Sequence, residues 1–454
     1  MERVLLTVGG SDSSGGAGIQ ADIKTFGALG FHGTSAITAV TAQNTLGVRS
    51  VHPVPPEVVG AQLDALIDDF EISAAKTGML HNGEIVEVAA GFFERANIPL
   101  VVDPVIEAEA GGRLLSSPAL DLLCERLIPI ATVATPNIFE AEAITGIMVS
   151  DEESAVLAGQ AILDLGAEAA IITGGHLDGD DVLVSGEGHR VIRGERVAGG
   201  NHGVGCTYSA ALTSLLAKGE RLETAAELAK RFAAASVQRS KVVGRGASPV
   251  NPLGEVVEGA ERCSVLTDLE RGISILSGEP AIIRLIPEVG SNLGMAIFGA
   301  SGPEDVAAVE GRFIKAGSKV RACGSVKFGS SRHVARVLLS AMSFDPQTRA
   351  AMNVRFGEDV LETIQTLELT SSHFRREDEP AGSKTMSWGT EDAIRRFRSS
   401  PEFEDQPSRP VPQVIWDRGG PGKEPMVRLL GRSAVEVANL AVEIARSLQS
   451  DGNL

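Results

Sequence analysis

A glycine-rich segment, residues 199–210 (GGNHGVGCTYSA), offers the first arrangement that could do chemistry. It leads into an apolar stretch with helical periodicity, and the free amides of a helix N-terminus favour an anion. Gly203 and Gly205, on either side of Val204, would let those amides face a transferring phosphoryl group. Cys206 stands where a side chain could contact the attacking hydroxyl, and a helix N-terminus lowers a thiol pKa. The alternative is a capped helix with a small buried cysteine.

A second glycine-rich loop, residues 9–22 (GGSDSSGGAGIQAD), follows an apolar run and leads into another helical pattern. It lacks the GK[ST] ending of a Walker loop, and its glycines do not have dinucleotide-binding spacing. Because glycine has no Cβ, Gly10 and its neighbours would let the backbone approach a small ligand closely. The alternative is a tight turn with Ser11 or Asp12 near a helix cap.

Two acidic side chains at predicted strand ends could complete a phosphoryl-transfer site. Asp103 follows the strand at residues 100–102, and Glu140 lies three residues after Asn137, near the end of the next strand. Such oxygen ligands could hold Mg²⁺ through water, and the metal would neutralise charge on the moving phosphoryl group. Taken singly, each acid is typical of a turn or a helix cap, so the prediction depends on their shared placement.

The second half of the chain has no Walker loop, catalytic triad or metal-ligand spacing, but it has two polar loops. Residues 327–333 (KFGSSRH) end on His333 at a predicted helix start, and residues 417–425 (DRGGPGKEP) form the other loop. Within residues 330–333, at the helix start, backbone amides, a guanidinium and the imidazole could converge on a diphosphate. Arg312 belongs to a further polar cluster of this half. The alternative is a basic, solvated loop beside a capped helix.

The elements that would position these residues alternate between strand and helix over the first 250 residues. This alternation predicts an α/β fold with a mainly parallel sheet, in which ligands bind at the carboxyl ends of the strands. The predicted strands cover residues 4–8, 74–76, 100–102, 132–134 and 170–173. The predicted helices cover residues 18–29, 57–69, 83–95, 116–127, 153–165 and 205–216.

The pattern breaks at residues 244–254 (GRGASPVNPLG), where prolines and glycines indicate a domain exit. We therefore predict a first domain at 1–255, a linker at 256–279 with a helix over 261–277, and a second, smaller α/β domain at 280–454. In that domain, strands are predicted at 281–286, 296–298, 319–323 and 424–430. Helices are predicted at 303–309, 331–341, 359–366, 390–398 and 434–448, and loops at 375–387 and 399–412.

Composition and charge narrow the class of protein. The chain has 454 residues and a net charge of −18, which disfavours sequence-independent binding to nucleic acid. The apolar run at the N-terminus is too short for a signal peptide, and no apolar segment is long enough for a membrane span. The four cysteines have neither CxxC nor metal spacing, so no zinc site or disulfide framework is expected. We expect a cytoplasmic enzyme without nucleic-acid or membrane partners.

Seven strings within residues 1–255 together resemble the hydroxymethylpyrimidine/phosphomethylpyrimidine kinases, the thiamine-pathway branch of the ribokinase superfamily. They are GAGIQAD at 16–22 with Lys24, TAQNT at 41–45, KTGML at 76–80, DPV at 103–105, TPN at 135–137 with Glu140, GGH at 174–176 and GVGC at 203–206. The resemblance implies a ribokinase-like three-layer α/β/α fold. It also implies an ATP-dependent kinase, with Mg²⁺, that phosphorylates a pyrimidine alcohol and then its monophosphate.

The resemblance also implies roles for single residues. The implied substrate-binding residues are Gly10, Asp22, Gln43 and Met79. Gln43 would hydrogen-bond the aminopyrimidine, and Met79 would pack near it. The implied ATP- and phosphate-binding residues are Asn137, Thr173, Gly175 and Val204. Gly203 and Gly205 would belong to the anion hole, with Cys206 in the catalytic position.

Asp103 and Glu140 would serve the metal and the phosphates in this family pattern. Two positions depart from the pattern. Val204 replaces a common threonine, which removes a hydroxyl but keeps the backbone amide. Thr173 stands where many relatives carry lysine, which removes one phosphate contact and leaves the details of ATP handling open.

The second half of the chain resembles the archaeal-type thiamine-phosphate synthase domain, which often follows such a kinase. The strings that carry this resemblance are PEVGSN at 287–292, FGSSRH at 328–333 and the segment 417–428. It implies coupling of the pyrimidine diphosphate to thiazole phosphate, giving thiamine phosphate and pyrophosphate. The important Arg and His of the family fall on Arg312, which would stabilise the leaving diphosphate, and His333, which would donate to its oxygens or orient them.

Two alternatives of a different kind stay open. The second domain could only sense thiamine phosphates, since related domains occur fused to DNA-binding modules; retention of both Arg312 and His333 favours catalysis. The kinase could instead act on a salvage substrate such as pyridoxal, against which Gln43 and Cys206 argue. The expected partners are small-molecule substrates and further copies of the chain, in a homodimer or a larger homo-oligomer.

Overall fold

The computed structural model describes residues 3–107, 114–174, 179–380, 385–405, 408–420 and 422–450. The chain divides into two compact units between Val257 and Glu258. No helix of the described residues combines the length and the apolar character that crossing a membrane requires.

The first unit is built on a nine-stranded sheet. Its strands are β1 (Val4–Asp12), β2 (His32–Asn44), β3 (Gly47–Pro53), β4 (Ile72–Thr77), β5 (Leu100–Val102), β6 (Val133–Ala134), β7 (Ala169–Ile172), β8 (Asp181–Ser185) and β9 (Gly188–Ile192). Their order in the sheet is β3-β2-β1-β4-β5-β6-β7-β8-β9. The strands from β2 to β7 in this order run parallel, whereas β3, β8 and β9 run antiparallel to their neighbours.

Helices cover both faces of this sheet, as the apolar parallel strands require. They are α1 (Gly18–Ala28), α2 (Pro56–Asp69), α3 (Gly83–Ala96), α4 (Ser117–Leu122), α5 (Ile138–Thr145), α6 (Glu152–Asp164), α7 (Val204–Ala217) and α8 (Leu222–Gln238). Leu6 and Val8 of β1 join the core beneath α2–α6, while Leu5 faces α1 and α7. The predicted three-layer α/β/α architecture is thereby confirmed.

The second unit has a seven-stranded sheet and a separate hairpin. Its strands are β10 (Leu293–Ala296), β11 (Val306–Val309), β12 (Phe313–Ala316), β13 (Lys319–Ala322), β14 (Val326–Phe328), β15 (Ala350–Arg355), β16 (Ser371–His373), β17 (Val414–Asp417) and β18 (Met426–Gly431). The sheet order is β14-β11-β10-β15-β18-β17-β16, and β12 pairs with β13. Only β16 and β17 are parallel among the described pairs of this unit.

Helices again lie on both faces of the second sheet. They are α9 (Gly254–Gly278), α10 (Arg332–Met342), α11 (Glu358–Thr366), α12 (Thr385–Arg398), α13 (Pro401–Asp405) and α14 (Ala434–Ser450). The predicted linker coincides with most of α9, whose Val265, Leu269 and Leu276 lie in the core with α11 and α14. Residues 258–278 therefore pack as part of the second unit. The other face is covered by α10 and α12.

Four predicted elements of the second unit are wrong. The strand predicted at 296–298 shares only Ala296 with β10, and the loop predicted at 399–412 contains α13. The predicted strand at 281–286 is a 3₁₀ helix, Pro280–Leu285, because Glu279 accepts a hydrogen bond from the amide of Ala281 and caps it. The predicted helix at 303–309 is a 3₁₀ turn followed by β11. Every residue of β11 is buried between β10 and β14, and a short, wholly apolar strand cannot be told from a buried helix by periodicity.

Candidate active sites

The two glycine-rich loops of the first unit touch each other at the end of the sheet. Gly203 caps α7 with a φ of 87°, and a Cβ there would collide with the carbonyl oxygen of Gly16. A Cβ on Gly16 would in turn collide with the ring of His202. On the other side, a Cβ on Gly10 would lie 2.6 Å from the methyl carbon of Met79. The structure thus brings together both predicted loops and Met79.

Cys206 lies in the first turn of α7, facing buried charges. The amide of Gly18 donates a hydrogen bond to it, and Lys76, Asp22 and Asp103 are close enough to act on its charge. Burial is the largest influence and raises the pKa of Cys206 to about 12, although the residue as a whole is only half-buried. The expected lowering of this pKa by the helix N-terminus is therefore wrong, because desolvation of the thiolate outweighs the amides and Lys76.

Alkylation of Cys206 is expected to be slow in the native protein. With a pKa of about 12, about one thiol in 10⁴ is ionised at pH 8, and the thiolate is the nucleophile. Peptide mapping by mass spectrometry after timed treatment with iodoacetamide measures this. Cys263 and Cys323 are exposed and serve as internal controls. Alkylation of Cys206 at their rate would contradict the prediction.

A buried ionic network lies beneath the loops. Lys76 of β4 is fully buried, with its Nζ 3.0 Å from Asp22 Oδ1 and 3.6 Å from Asp103 Oδ2. The hydroxyl of Thr7 donates to Asp22 Oδ2 at 2.7 Å, and that of Ser209 donates to Asp103 Oδ2 at 2.9 Å. Burial disfavours the lysine charge, but the two carboxylates hold the pKa of Lys76 above its ordinary value. Lys76 therefore stays charged beside Cys206.

Of the expected substrate-binding residues, Asp22 belongs to this ionic network, whereas Gln43 lies beside the glycine-rich loops. Asp22 is 1% exposed and already bonded to Lys76 and Thr7, so its direct contact with a substrate stays a prediction. Gln43 is part-buried at the end of β2, and its side chain lies 3.4 Å from Nε2 of His202. Its backbone is held by Ser13, whose hydroxyl donates to the Gln43 carbonyl oxygen at 2.7 Å.

The predicted metal and ATP residues meet at the ends of β5, β6 and β7. Asn137 and Glu140 form a capping box on α5, in which Glu140 accepts from the Asn137 amide at 2.9 Å. Thr173 pairs with Asn137 in an isolated bridge. Burial, and then the charge of Asp103, raises the pKa of Glu140 to about 8. Gly175 lies outside the described residues.

Within the described ranges, no group of three or more His, Cys, Asp or Glu side chains is arranged to hold a metal ion. Asp103 and Glu140 are nevertheless two buried carboxyls that act on each other's charge. Mg²⁺ is commonly bound by one or two carboxylates together with water and substrate phosphates, so the pair fits that ion.

In the second unit, His333 is an exposed residue at the start of α10, and several arginines lie close enough to act on its charge. Partial desolvation of the ring, followed by the charges of Arg428, Arg312 and Arg376, lowers the pKa of His333 to about 4. The imidazole is therefore neutral near pH 7 and donates through one nitrogen. Arg312 is exposed at a φ of 76°, with its guanidinium donating to the Val289 carbonyl oxygen at 2.6 Å. This side of the sheet is suited to an anionic ligand.

Asp417, at the end of β17, holds two of these arginines. Its Oδ1 accepts from Arg376 Nε at 2.5 Å, and its Oδ2 accepts from Arg428 Nη2 at 2.8 Å. Asp417 is fully buried and Arg428 is 2% exposed. The Nε of Arg428 is a buried donor that has no hydrogen-bond partner among the described residues. The amide of Gly419 also donates to Asp417, so the carboxylate fixes the start of the predicted 417–425 loop.

Four residues of the candidate sites were not predicted to have a functional role: Lys76, His202, Arg376 and Arg428. For Lys76 a signal existed, since a lysine within the apolar strand ISAAKT must be paired if it is buried. Arg428 gives the same signal within MVRLLG. For His202 and Arg376 the sequence has no comparable signal, because both lie in loops or turns.

Comparisons with known proteins agree with this division. A family model described as phosphomethylpyrimidine kinase matches residues 12–251, and one described as thiamine-phosphate synthase ThiN matches residues 268–443. The bifunctional thiamine biosynthesis protein ThiDN of Methanocaldococcus jannaschii is 32% identical over 449 residues, which cover 98% of this chain and 99% of that protein.

Other relatives match the first unit. The hydroxymethylpyrimidine/phosphomethylpyrimidine kinase of Haemophilus influenzae is 47% identical over 258 residues, 55% of this chain and 96% of that protein. The structure of an ADP complex of Bacillus subtilis pyridoxal kinase superposes with a TM-score of 0.53 and 35% identity, covering 57% of this chain and all of the other. Since one relative aligns over nearly its full length, the chain belongs to the family of bifunctional thiamine biosynthesis proteins that join a phosphomethylpyrimidine kinase to a thiamine-phosphate synthase.

Proposed function

We propose that the first unit phosphorylates 4-amino-5-hydroxymethyl-2-methylpyrimidine and then its monophosphate with ATP. The second unit couples the resulting diphosphate to 4-methyl-5-(2-phosphoethyl)thiazole, which gives thiamine phosphate and pyrophosphate. The observation that carries the proposal is that each unit gathers one set of groups suited to its reaction. These are the amides and Lys76 around Cys206 in the first unit, and the arginines around His333 in the second.

The kinase half rests on the loop contact at Gly203 and Gly16. The amides at the start of α7, whose dipole favours negative charge, lie beside Cys206 and the charged Lys76. Such fixed donors stabilise a phosphoryl group as it moves between oxygens. With a pKa of about 12, the thiol of Cys206 is protonated, so it meets the substrate hydroxyl as a neutral hydrogen-bonding group.

Mg²⁺ is part of the proposal. Asp103 and Glu140 would hold it. Burial first, and then the charge of Asp103, raises the pKa of Glu140, and a cation between the two carboxyls would favour their ionised forms. When bound, the ion neutralises charge on the phosphates. A cytoplasmic location and a homo-oligomeric state complete the proposal, and both rest on sequence expectation.

The pH dependence of stability tests the Glu140 environment. A carboxyl whose folded pKa of about 8 exceeds its ordinary 4.5 contributes stability below pH 4.5 and loses it as the pH rises through 8. We therefore expect the melting temperature to fall more between pH 6 and pH 9 in the native chain than in Glu140→Gln. Thermal scans measure this, and Mg²⁺ should narrow the difference in the native chain only. Equal pH profiles would contradict the assignment.

The synthase half rests on the arginines whose charges act on His333. As the C–O bond to the pyrimidine methylene breaks, charge builds up on the leaving diphosphate, and fixed guanidinium groups stabilise it. A neutral His333 can donate one hydrogen bond to the same oxygens without adding a charge. A domain that only sensed thiamine phosphates would bind the same anions, so turnover is the observation that separates the two functions.

The proposed function is tested by incubating the chain with hydroxymethylpyrimidine, ATP, Mg²⁺ and thiazole phosphate. Thiamine phosphate should form, and His333→Ala should stop its formation while the pyrimidine diphosphate accumulates. Diphosphate without thiamine phosphate from the intact chain would contradict the synthase assignment. Cys206→Ala should lower kinase turnover far more than pyrimidine binding, and an unchanged rate would reject a role for the thiol in the reaction.

Pyridoxal is included as a competing substrate, because the pyridoxal kinase of Bacillus subtilis shares the fold of the first unit. A kcat/KM for pyridoxal above that for the aminopyrimidine would reassign the kinase half to salvage. A second assay that supplies the pyrimidine diphosphate and thiazole phosphate without ATP tests the synthase half independently of that outcome.

A further inference from the structure

The pair formed by Asp12 and His202 lies next to the predicted pyrimidine-binding glutamine. Asp12 is 3% exposed, and its Oδ2 accepts from the amides of Gly16 at 3.0 Å and Ala17 at 2.8 Å. Its Oδ1 accepts from the amide and hydroxyl of Ser14, both at 2.8 Å. His202 is buried, with its Nε2 3.0 Å from Asp12 Oδ2. The imidazole is thus anchored to a carboxylate that is itself fixed by the first loop.

This anchoring decides where the imidazole proton lies. Burial would raise the pKa of Asp12, but hydrogen bonds from His202, Ser14 and the loop amides lower it to about 2. The carboxylate is therefore ionised at neutral pH and can only accept hydrogen bonds. It follows that Nε2 of His202 carries a hydrogen, whether the ring is neutral or charged, and cannot accept one.

The second neighbour of His202 is the amide of Gln43. The Nε2 of this amide lies 3.4 Å from His202 Nε2, and its Oε1 lies 3.2 Å from Thr41 Oγ1, from which it accepts in this orientation. An amide nitrogen facing His202 would set two donors against each other. With the amide turned by 180°, an orientation that the heavy-atom positions allow equally, its oxygen shares the Nε2–H of His202 with Asp12 and its NH₂ donates to Thr41 Oγ1. The Thr41 hydroxyl then donates to the Ser11 carbonyl oxygen, 3.0 Å away.

We propose that Asp12 and His202 are specificity-determining positioning residues, which fix the Gln43 amide in one orientation and so select a 4-aminopyrimidine over a 4-oxopyrimidine alcohol. The single Nε2–H of His202 points to Asp12 at 3.0 Å and is shared with the Gln43 oxygen at 3.4 Å, and the Gln43 NH₂ donates to Thr41, whose hydroxyl donates to the backbone of Ser11. The inference rests on the proposed function, because it takes Gln43 as the residue that binds the pyrimidine.

The two pyrimidines present opposite hydrogen-bonding patterns. A 4-aminopyrimidine offers an amino donor beside a ring-nitrogen acceptor, which an amide oxygen and an amide NH₂ complement. The 4-oxo form offers an oxygen acceptor beside a ring N–H donor, which needs the amide the other way round. Since the hydroxymethyl group must face Cys206, the ring cannot turn over to compensate. A mismatched pair leaves buried polar groups unsatisfied, which is how such sites reject close analogues.

The test measures kcat and KM for both pyrimidine alcohols, with the amino and the oxo group at position 4. His202→Phe keeps a ring of similar size but removes the N–H. We expect its ratio of kcat/KM values, amino over oxo, to fall by about 10-fold or more, chiefly through a higher KM for the amino substrate. His202→Gln, whose side-chain NH₂ can donate to both Asp12 and Gln43, should restore most of the ratio.

Thr34→Val is the matched control. Thr34 lies on the same strand as Thr41 and its buried hydroxyl also donates to a backbone carbonyl oxygen, that of Leu5 at 2.9 Å. Its ratio should equal that of the unaltered chain, whereas Thr41→Val should lower the ratio by removing the acceptor for the Gln43 NH₂. If His202→Phe does not fold, Thr41→Val decides the question.

The outcomes separate the inference from the function on which it rests. A ratio that stays within about 2-fold of the unaltered chain in His202→Phe, or in Thr41→Val if the former is unfolded, overturns the inference. Equal falls in kcat for both substrates, with the ratio unchanged, also overturn it and leave His202 a structural residue. An unaltered chain that phosphorylates neither pyrimidine instead overturns the proposed function.

Discussion

Replacing Lys76 with methionine is expected to lower the free energy of unfolding of the first unit by about 3–5 kcal/mol and to stop the kinase reaction. The reason is electrostatic. Lys76 is fully buried between Asp22 and Asp103, and methionine keeps the volume of its stem but leaves two buried carboxylates without a cation. One or both carboxyls must then bind a proton or leave the interior, and either change alters the surroundings of Cys206.

Urea denaturation followed by circular dichroism, together with kinase assays, measures the effect of Lys76→Met. Arg95→Met is the matched control, because Arg95 and Asp64 form an ion pair at 3.9 Å in which both side chains are about 70% exposed. Exposed pairs contribute about 0–1 kcal/mol. The double variant Lys76→Met/Asp22→Leu should recover part of the lost stability without recovering activity. A Lys76→Met protein as stable as the Arg95→Met protein would refute the account.

In the first unit the sequence predicts β1, β4, β5, β6 and β7 and the described helices other than α5 and α8, because these elements follow local rules; it does not predict β2, β3, β8 or β9. Strands such as β1 and β5 are buried on both faces, and helices such as α3 begin at a side-chain cap, here Asn82. In the second unit the wholly apolar run Val306–Val309 satisfies both a strand and a helix pattern. Only its pairing with β10 and β14 decides between them, and pairing is not a local property.

The candidate sites depend even more on contacts between distant segments, which local sequence does not predict. The loop glycines and Cys206 are visible as motifs, but the partner of Asp12 is His202, 190 residues away, and Lys76 meets Asp22 across 54 residues. For Cys206 a local rule even predicts the wrong direction of the thiol pKa shift. The helix N-terminus lowers a thiol pKa, yet desolvation among charges from three other segments raises it. Motifs therefore locate the site, while its electrostatics depend on the fold.

Replacing Asp417 with asparagine is expected to lower the synthase turnover about 100-fold, since displacing catalytic groups by an ångström has effects of this size. Asp417 is the carboxylate that both Arg376 and Arg428 contact, and asparagine keeps its shape while removing the charge. Arg428 then remains buried beside a neutral amide, with its Nε already lacking a partner. We also expect the second unit to lose about 3 kcal/mol of stability.

Kinase and synthase assays of Asp417→Asn together show whether the variant displaces the arginines or damages the whole chain. Kinase activity, which belongs to the first unit, should be unchanged, so the pyrimidine diphosphate should accumulate while thiamine phosphate forms slowly. Glu358→Gln is the matched control, because it removes an acidic partner of Arg418 from a pair in which both side chains are over 60% exposed. Its synthase rate should match that of the native chain. A native synthase rate in Asp417→Asn would mean that Arg376 and Arg428 hold their places without the carboxylate, and that the arginine cluster depends on packing alone.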